Sequence, residues 1–282
     1  MRDLEFDTAV SARDGRYTGT LQTGWEIWGP QGGYVAGVAL RAASAASPFR
    51  RPASFTCHFI RPAQVGEVEL RVESLTRTRR AESLRVSCFQ NGAALLEAVV
   101  WLVAELGGVD HDATERPDAP EPDAVTPWED YLPGGEPPFP FWANFDVRPV
   151  TPEPEGWARA GDPRFLAWMR LRSGTELQAP ELDAARMLAV ADSCMFPAAT
   201  LAHDGGFPYV APSLDLSASF HRVGDTSDWL LVDGVSPLSD GAIVSGTASI
   251  WSRDGRLLAT AKQQMLQRHA SAAAVNSPTT SR

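Results

Sequence analysis

The chain has 282 residues, 44% of them hydrophobic, which suits one large core or two smaller ones and excludes a fibre or a wholly disordered protein. Its formal net charge of −10 at pH 7 argues against a nucleic-acid partner, because neutralising phosphates needs a basic face. Three cysteines, Cys57, Cys88 and Cys194, lie in apolar segments without metal-ligand spacing, the pattern of reduced thiols packed in a cytoplasmic protein with no metal.

In chain order, the first residues are too charged for a signal peptide, and residues 16–28 (RYTGTLQTGWEIW) read as an extended segment stopped by Gly29-Pro30. A helix begins at Gln31. QGGYVAGVALRAASAA carries small residues along much of its length, which suits close packing on a sheet, and Ser47-Pro48 ends it. Strand-like runs follow at residues 54–60, 67–75, 81–89 and 94–104, with Asn91-Gly92 as a hairpin signal between the last two. The longest apolar run, residues 93–104, is broken by Glu97 and too short to cross a bilayer, so no membrane anchor is expected.

From Gly107 the chain turns acidic and Pro-rich (GGVDHDATERPDAPEPDAV), the composition of a linker flexible at its start. Phe139, Phe141, Trp142, Phe145 and Val147 are too apolar for a free tether and predict that part of it packs back. Beyond it come a strand at 164–172, a helix at 181–201, and strands at 213–221, 229–235, 242–251 and 257–266, with Asp254-Gly255 in the hairpin place of Asn91-Gly92. Phe59-Ile60-Arg61 thus aligns with Phe220-His221-Arg222, and each half reads as a strand, a helix and four strands. The expected units are residues 1–106, a partly packed linker 107–160, residues 161–269 and a disordered tail 270–282. Strands in hairpin sequence make an antiparallel sheet curled around its helix, an α+β arrangement with the two units joined edge to edge or face to face.

The second helix carries one residue that breaks its apolar pattern. Asp192 has Leu188, Ala189, Met195 and Phe196 as helical neighbours, so the surface that buries them buries a carboxylate too. Such a group needs hydrogen-bond partners, a raised pKa or a job, unless the helix is rotated to face it to water. The two halves also differ in a telling way. The first helix starts with Gly32 and Gly33, whose free N–H groups favour an anionic oxygen, and has Leu40 where the second has Asp192. On the last strand Gln263 stands where the first half has Val100. Each half keeps part of a polar set, as expected of one composite site between them.

The stretches QGGYVAGVAL, CHFIRPAQVGEVEL, LAVADSCMFP, SLDLSASFHR with DWLL, and DGRLLATAKQQMLQR resemble the acyl-CoA thioesterase II family, from about Trp25 to Arg268. The resemblance implies a double hot-dog fold, two tandem antiparallel sheets each wrapped around a central helix. It also implies hydrolysis of an acyl thioester without a cofactor. Family members place a catalytic Asp on the second helix, a Thr or Ser at the start of the next strand and a Gln on the last strand; Asp192, Ser213 and Gln263 match these positions. Ser213 stands where Thr is more frequent, and Leu216 where His often follows the Asp of SLD, which bears on substrate range.

In this reading Asp192 deprotonates a water, Ser213 and Gln263 hold water or carboxylate, and N–H groups near Gly32 and Gly33 receive the carbonyl oxygen. The expected substrate is an acyl-CoA or a carrier-protein thioester, and the family implies a homodimer or larger assembly. Arg50, Arg51, Arg77, Arg79 and Arg80 are candidates for CoA phosphates, although arginines clustered on a turn are usually just solvated. Trp28, Tyr34, Trp168, Met187, Phe196 and Phe207 are expected to set pocket depth. Two alternatives stand beside hydrolysis: a non-catalytic acyl-thioester-binding protein, and a hot-dog dehydratase or hydratase. The latter needs a His paired with Asp or Asn, and no Asp-x-Asn-Pro-x-x-x-His pattern occurs. Nor does a GxSxG elbow.

Overall fold

A computed structural model of the protein describes residues 2–105, 107–151, 161–173, 177, 179–203, 209–224 and 228–269. A short helix α1 (Leu4–Asp7) and strands β1 (Val10–Arg13) and β2 (Arg16–Leu21) precede α2 (Gly32–Ala46), which leads into β3 (Arg51–Phe59), β4 (Gly66–Arg77), β5 (Ala81–Gln90) and β6 (Ala93–Val103). After the linker come β7 (Phe145–Thr151), β8 (Arg164–Leu171) and α3 (Pro180–Thr200). The chain closes with β9 (Tyr209–Val210), β10 (Asp215–Phe220), β11 (Leu230–Asp240), β12 (Ile243–Ser252), β13 (Leu257–Leu266) and β14 (Arg268–His269). The tail from residue 270, the linker's end at 152–160, and Phe207 lie outside the described residues.

Twelve strands form one antiparallel sheet in the order β1-β2-β4-β5-β6-β3-β10-β13-β12-β11-β8-β7. Of the two expected ways of joining the units, edge to edge or face to face, the first is found. β3 and β10 pair edge to edge, with Thr56 opposite Ser217, so the N–H and C=O groups that each edge would leave open satisfy one another. On either side of this seam the halves repeat. The N–H groups of Ile60 and Arg61 both meet the Leu95 carbonyl, as those of His221 and Arg222 meet that of Leu258. Register shifts recur as well, at Cys88/Phe89 and Ile250/Trp251, and at Ser74/Thr76 and Val235/Leu238. A bulge bends a strand and increases its twist, so both halves bend at matching places.

Packing follows from these bends. α2 lies on β4, β5 and β6, and α3 on β8, β11 and β12, while the two helices press on each other. A Cβ added at Gly33 would come 2.2 Å from the Leu188 carbonyl oxygen, and one at Gly37 would come 3.1 Å from Ala185 Cβ. The small residues of α2 therefore serve helix–helix approach, not only the sheet contact that the sequence suggested. The helix starts where Gln31, in an extended conformation, accepts the Tyr34 N–H with its side chain, and stops at Ser47, which precedes a proline.

The linker is more tightly held than its composition predicts. Ala119 and Val125 cover Leu166, Trp168, Trp229, Leu231 and Trp251, a small apolar cluster separate from the main core. Trp168 Nε1 donates to the Pro120 carbonyl at 2.8 Å, and Arg148 donates to those of Pro122 and Val125 at 3.0 and 3.1 Å. Phe141, Trp142, Phe145 and Val147 are buried in the main core, and β7 extends the sheet beside β8. Proline removes N–H donors but leaves carbonyls as acceptors, and these carbonyls anchor the acidic segment. Among the described residues, no helix is long and apolar enough to cross a membrane.

Candidate active site

The contact of α3 with the start of α2 places Asp192 among four hydrogen-bond donors. Its Oδ1 accepts a hydrogen bond from Ser213 Oγ at 2.9 Å and another from Gln263 Nε2, which also donates to Ser213 Oγ. Its Oδ2 accepts from the Gly33 N–H at 2.9 Å and from Gln31 Nε2 at 2.6 Å. A carboxylate has about four lone-pair positions, and here four donors meet them. The alternative in which the helix turns Asp192 to bulk water is thereby excluded.

Asp192 borders a cleft, so the residue as a whole is half-buried, but the carboxylate itself is enclosed. Burial pushes its pKa up; the hydrogen bonds from Gly33, Ser213, Gln263 and Gln31 pull it back, and the balance stays above the usual carboxylate range. The N-terminus of α2 adds a favourable dipole on the same side.

The cleft has a volume of about 540 Å³. Gln31, Gly32, Asp192 and Ser213 form its polar end, and Ile27, Trp28, Phe59, Leu95, Phe196 and Met265 its apolar walls. Trp128, Pro138, Phe139 and Trp142 of the linker complete it. Trp28 meets Phe196 edge to face, with centroids 5.2 Å apart, and Phe139 at 6.5 Å. Of the residues expected to set pocket depth, Trp28 and Phe196 line this cleft. Tyr34 and Met187 belong instead to the main core, and Trp168 to the small cluster beneath the linker.

Asp192, Ser213 and Gln263 are thus brought together, although Ser213 sits just before β10 in an isolated bridge with Met265 rather than within the strand. The expectation for Gly33 needs correction. Its N–H, assigned to a carbonyl oxygen, is taken by Asp192. Gly32 does line the cleft, and its N–H has no partner among the described residues. Gln31, read in the sequence only as the first helical residue, turns out to hold the carboxylate. The one available signal was a glutamine where a helix cap usually has Ser, Thr, Asp or Asn. Of the arginine cluster, Arg77 pairs with buried Glu82 at 2.9 Å, Arg50 donates to the Ser44 carbonyl and Arg51 to that of His221. None of them borders the cleft, whereas the exposed Arg61 and Arg268 do. Cys194 is buried, with its Sγ on the Ala191 carbonyl, and burial pushes its thiol pKa far up, which rules it out as a nucleophile.

Gly32 gives a direct probe of this geometry. A Cβ there would lie 3.0 Å from Phe59 Cζ and 3.1 Å from Asp192 Oδ2. Phe59 is only partly buried and can give way, so Gly32→Ala is expected to cost less than about 1 kcal/mol of stability yet lower kcat/KM by about tenfold or more. Thermal unfolding and steady-state kinetics on the same preparation check both halves of that expectation.

Comparison with known proteins defines the class. A conserved protein of unknown function with a hot-dog fold from Alicyclobacillus acidocaldarius matches with a TM-score of 0.82 at 20% identity, covering 96% of this chain and 100% of its own. The acyl-CoA thioesterase II TesB2 of Mycobacterium marinum matches at 0.75 and 22% identity over 95% and 99% of the two chains. The tesB protein of Mycobacterium avium subspecies paratuberculosis matches at 0.75 and 25% identity over 94% and 98%. The fold is therefore of the hot-dog class. Residues 21–103 match the acyl-CoA thioesterase N-terminal domain and residues 113–267 the acyl-CoA thioesterase C-terminal domain. The chain belongs to the acyl-CoA thioesterase family and is a thioester hydrolase. Among curated proteins, no sequence matches it significantly.

Proposed function

We propose that the protein hydrolyses an acyl-CoA to the free acid and CoA, with Asp192 as general base, and that the continuous sheet is a double hot-dog of two units, residues 1–106 and 161–269, fused edge to edge. The observation that carries this reading is the convergence of Ser213 and Gln263 on one oxygen of a carboxylate enclosed at the polar end of an apolar cleft. Gln263 is only 2% exposed, and its Oε1 has no hydrogen-bond partner among the described residues. A buried acceptor of this kind costs stability unless something occupies it. A water bound there donates one hydrogen to Gln263 Oε1 and the other to Asp192, once the Ser213 hydroxyl rotates away.

The water oxygen then attacks the thioester carbonyl carbon while Asp192 takes its proton. Charge that develops on the carbonyl oxygen meets the free Gly32 N–H at the start of α2. The C–S bond breaks as the carbonyl re-forms, and Asp192 returns the proton to the departing sulfur, giving acid and thiol. The acyl chain lies along Trp28, Phe59 and Phe196, against the wall that the linker supplies. CoA is the proposed donor, with a carrier-protein thioester as the other, in a cytoplasmic enzyme that assembles as a homodimer or larger.

Because Asp192 must be ionised to accept a proton, activity falls as pH drops through its pKa. That pKa lies above the ordinary carboxylate range, so the acid limb of kcat/KM is expected at higher pH than a solvent-exposed aspartate would give. A pH profile taken on the intact protein checks it. The overall test is thiol release from acyl-CoAs of graded chain length by wild type and Asp192→Asn; equal rates, or none from either with any chain, would sink the reading. A non-catalytic binder would retain acyl-CoA without releasing thiol. The dehydratase alternative requires a histidine in the cleft, and none of the described histidines borders it.

A further inference from the structure

We propose that Gln31 is a positioning residue for the reaction: the cap of α2 locks its amide so that the NH₂ group clamps Asp192 to the start of that helix. The inference rests on Asp192 being the base, and it concerns a residue of the opposite half of the chain, 161 positions away.

Every polar atom of Gln31 is committed. Its N–H donates to the Trp25 carbonyl at 2.8 Å, and its carbonyl accepts the Val35 N–H at 3.1 Å. The side-chain Oε1 accepts the Tyr34 N–H at 2.7 Å, while Nε2 donates to Asp192 Oδ2 at 2.6 Å and to the Ala189 carbonyl at 3.0 Å. The residue is only 4% exposed, so water cannot substitute for these partners. An amide is ambiguous by shape alone, but here the network decides. Turning it over would set its oxygen against Asp192 Oδ2 and Ala189 O, and its NH₂ against the Tyr34 N–H. The helix cap therefore fixes which end faces the carboxylate. Nε2, with its two hydrogens, spans Asp192 and the main chain of α3 one turn before it. Ser, Thr, Asp or Asn caps a helix at least as well, but none is long enough to cap α2 and also reach across to α3.

The charged or titratable groups around Asp192 leave this contact legible in a pH profile. Cys57 on β3 and Cys194 on α3 feel its charge, and burial pushes both thiols up, so they stay neutral. Tyr34 on α2 turns its hydroxyl away to the Asp7 carbonyl, and Asp215 on β10 accepts the Gln264 N–H. Gln263 on β13 is uncharged, and Arg61 and Arg268 lie at the border of the cleft.

The test separates capping from positioning. Gln31→Ser keeps a good cap but cannot reach Asp192, whereas Gln31→Met removes both functions. With a single acyl-CoA that the wild type hydrolyses, kcat, KM and their pH profiles are measured for wild type and both variants, together with Tm. The expected result is an acid limb moved up by about one pH unit in both, since a hydrogen bond to a charged group holds the ionised form, with kcat reduced and KM little changed. Only Gln31→Met should lose several degrees of Tm. A wild-type acid limb and kcat in Gln31→Ser overturns the proposal, and so does loss of fold in that variant, because either outcome leaves Gln31 as a structural cap. Asp192→Asn distinguishes the levels: if it is as active as wild type, the base assignment fails, and if it is inactive while the Gln31→Ser limb is unmoved, only the present inference fails.

Discussion

Asp192→Asn is expected to lower kcat by about 10²–10⁴-fold, the range that a positioned general base supplies, while KM and Tm change little. The site is unusually well suited to this substitution. An asparagine carries one oxygen and one NH₂, and four donors cannot all remain satisfied unless some turn around. The Oδ2 side cannot adapt, because the Gly33 N–H is main chain and the Gln31 amide is held by the helix cap. The Oδ1 side can. Ser213 can rotate its hydroxyl to accept, and Gln263 can present its unpartnered Oε1 to the new NH₂. The variant therefore keeps the shape and hydrogen bonding of the site and loses only the capacity to take a proton. A fall in activity paralleled by a large fall in Tm would contradict this account. Stopped assays of thiol release, with circular dichroism on the same samples, measure both.

Gly33→Ala is expected to be the most damaging added methyl group among the described glycines, costing about 3 kcal/mol or more and abolishing activity with it. The added carbon would lie 2.2 Å from the Leu188 carbonyl oxygen and 2.8 Å from Ala189 Cα, both main-chain atoms of a buried helix that no rotamer change can move. Relief requires α2 and α3 to separate. That separation also withdraws the Gly33 N–H from Asp192, so stability and catalysis fall together. Gly32→Ala meets a side chain instead and should divide the two effects. Denaturant unfolding of the pair, side by side, gives the contrast directly: similar midpoints for both variants would mean that the helix contact is looser than the geometry indicates.

How far the site could be read from the chain alone depends on the kind of information each residue carries. Asp192 was legible because a carboxylate in an apolar helical stripe violates the 3.6-residue pattern around it. Ser213 and Gln263 were legible only in combination, through family resemblance and through the comparison of Gln263 with Val100. The Asn91-Gly92 hairpin was plain, and the structure gives both residues positive φ, as a two-residue turn of that type needs. The turn at Gly241-Ala242 was not, because alanine gives no such signal, yet it also has positive φ at both positions. That part of the linker packs back was legible in its aromatic residues. That carbonyls and small apolar residues of its acidic, Pro-rich part also pack beside Trp168 was not.

By itself, then, the sequence determined what is local: the periodicities that make two helices and their flanking strands, the near-repetition of one half in the other, and the one charge that does not belong on its helix face. Tertiary structure alone decided three things. It joined the halves through β3 and β10, since unpaired strand edges attract any partner and nothing local names which. It gave one cleft wall to the linker. And it brought Gln31 and Gly33 to Asp192 across 161 and 159 residues of chain, because whether a side chain can span two helices depends on how closely they pack, and that distance is set by Gly33 meeting the backbone of Leu188.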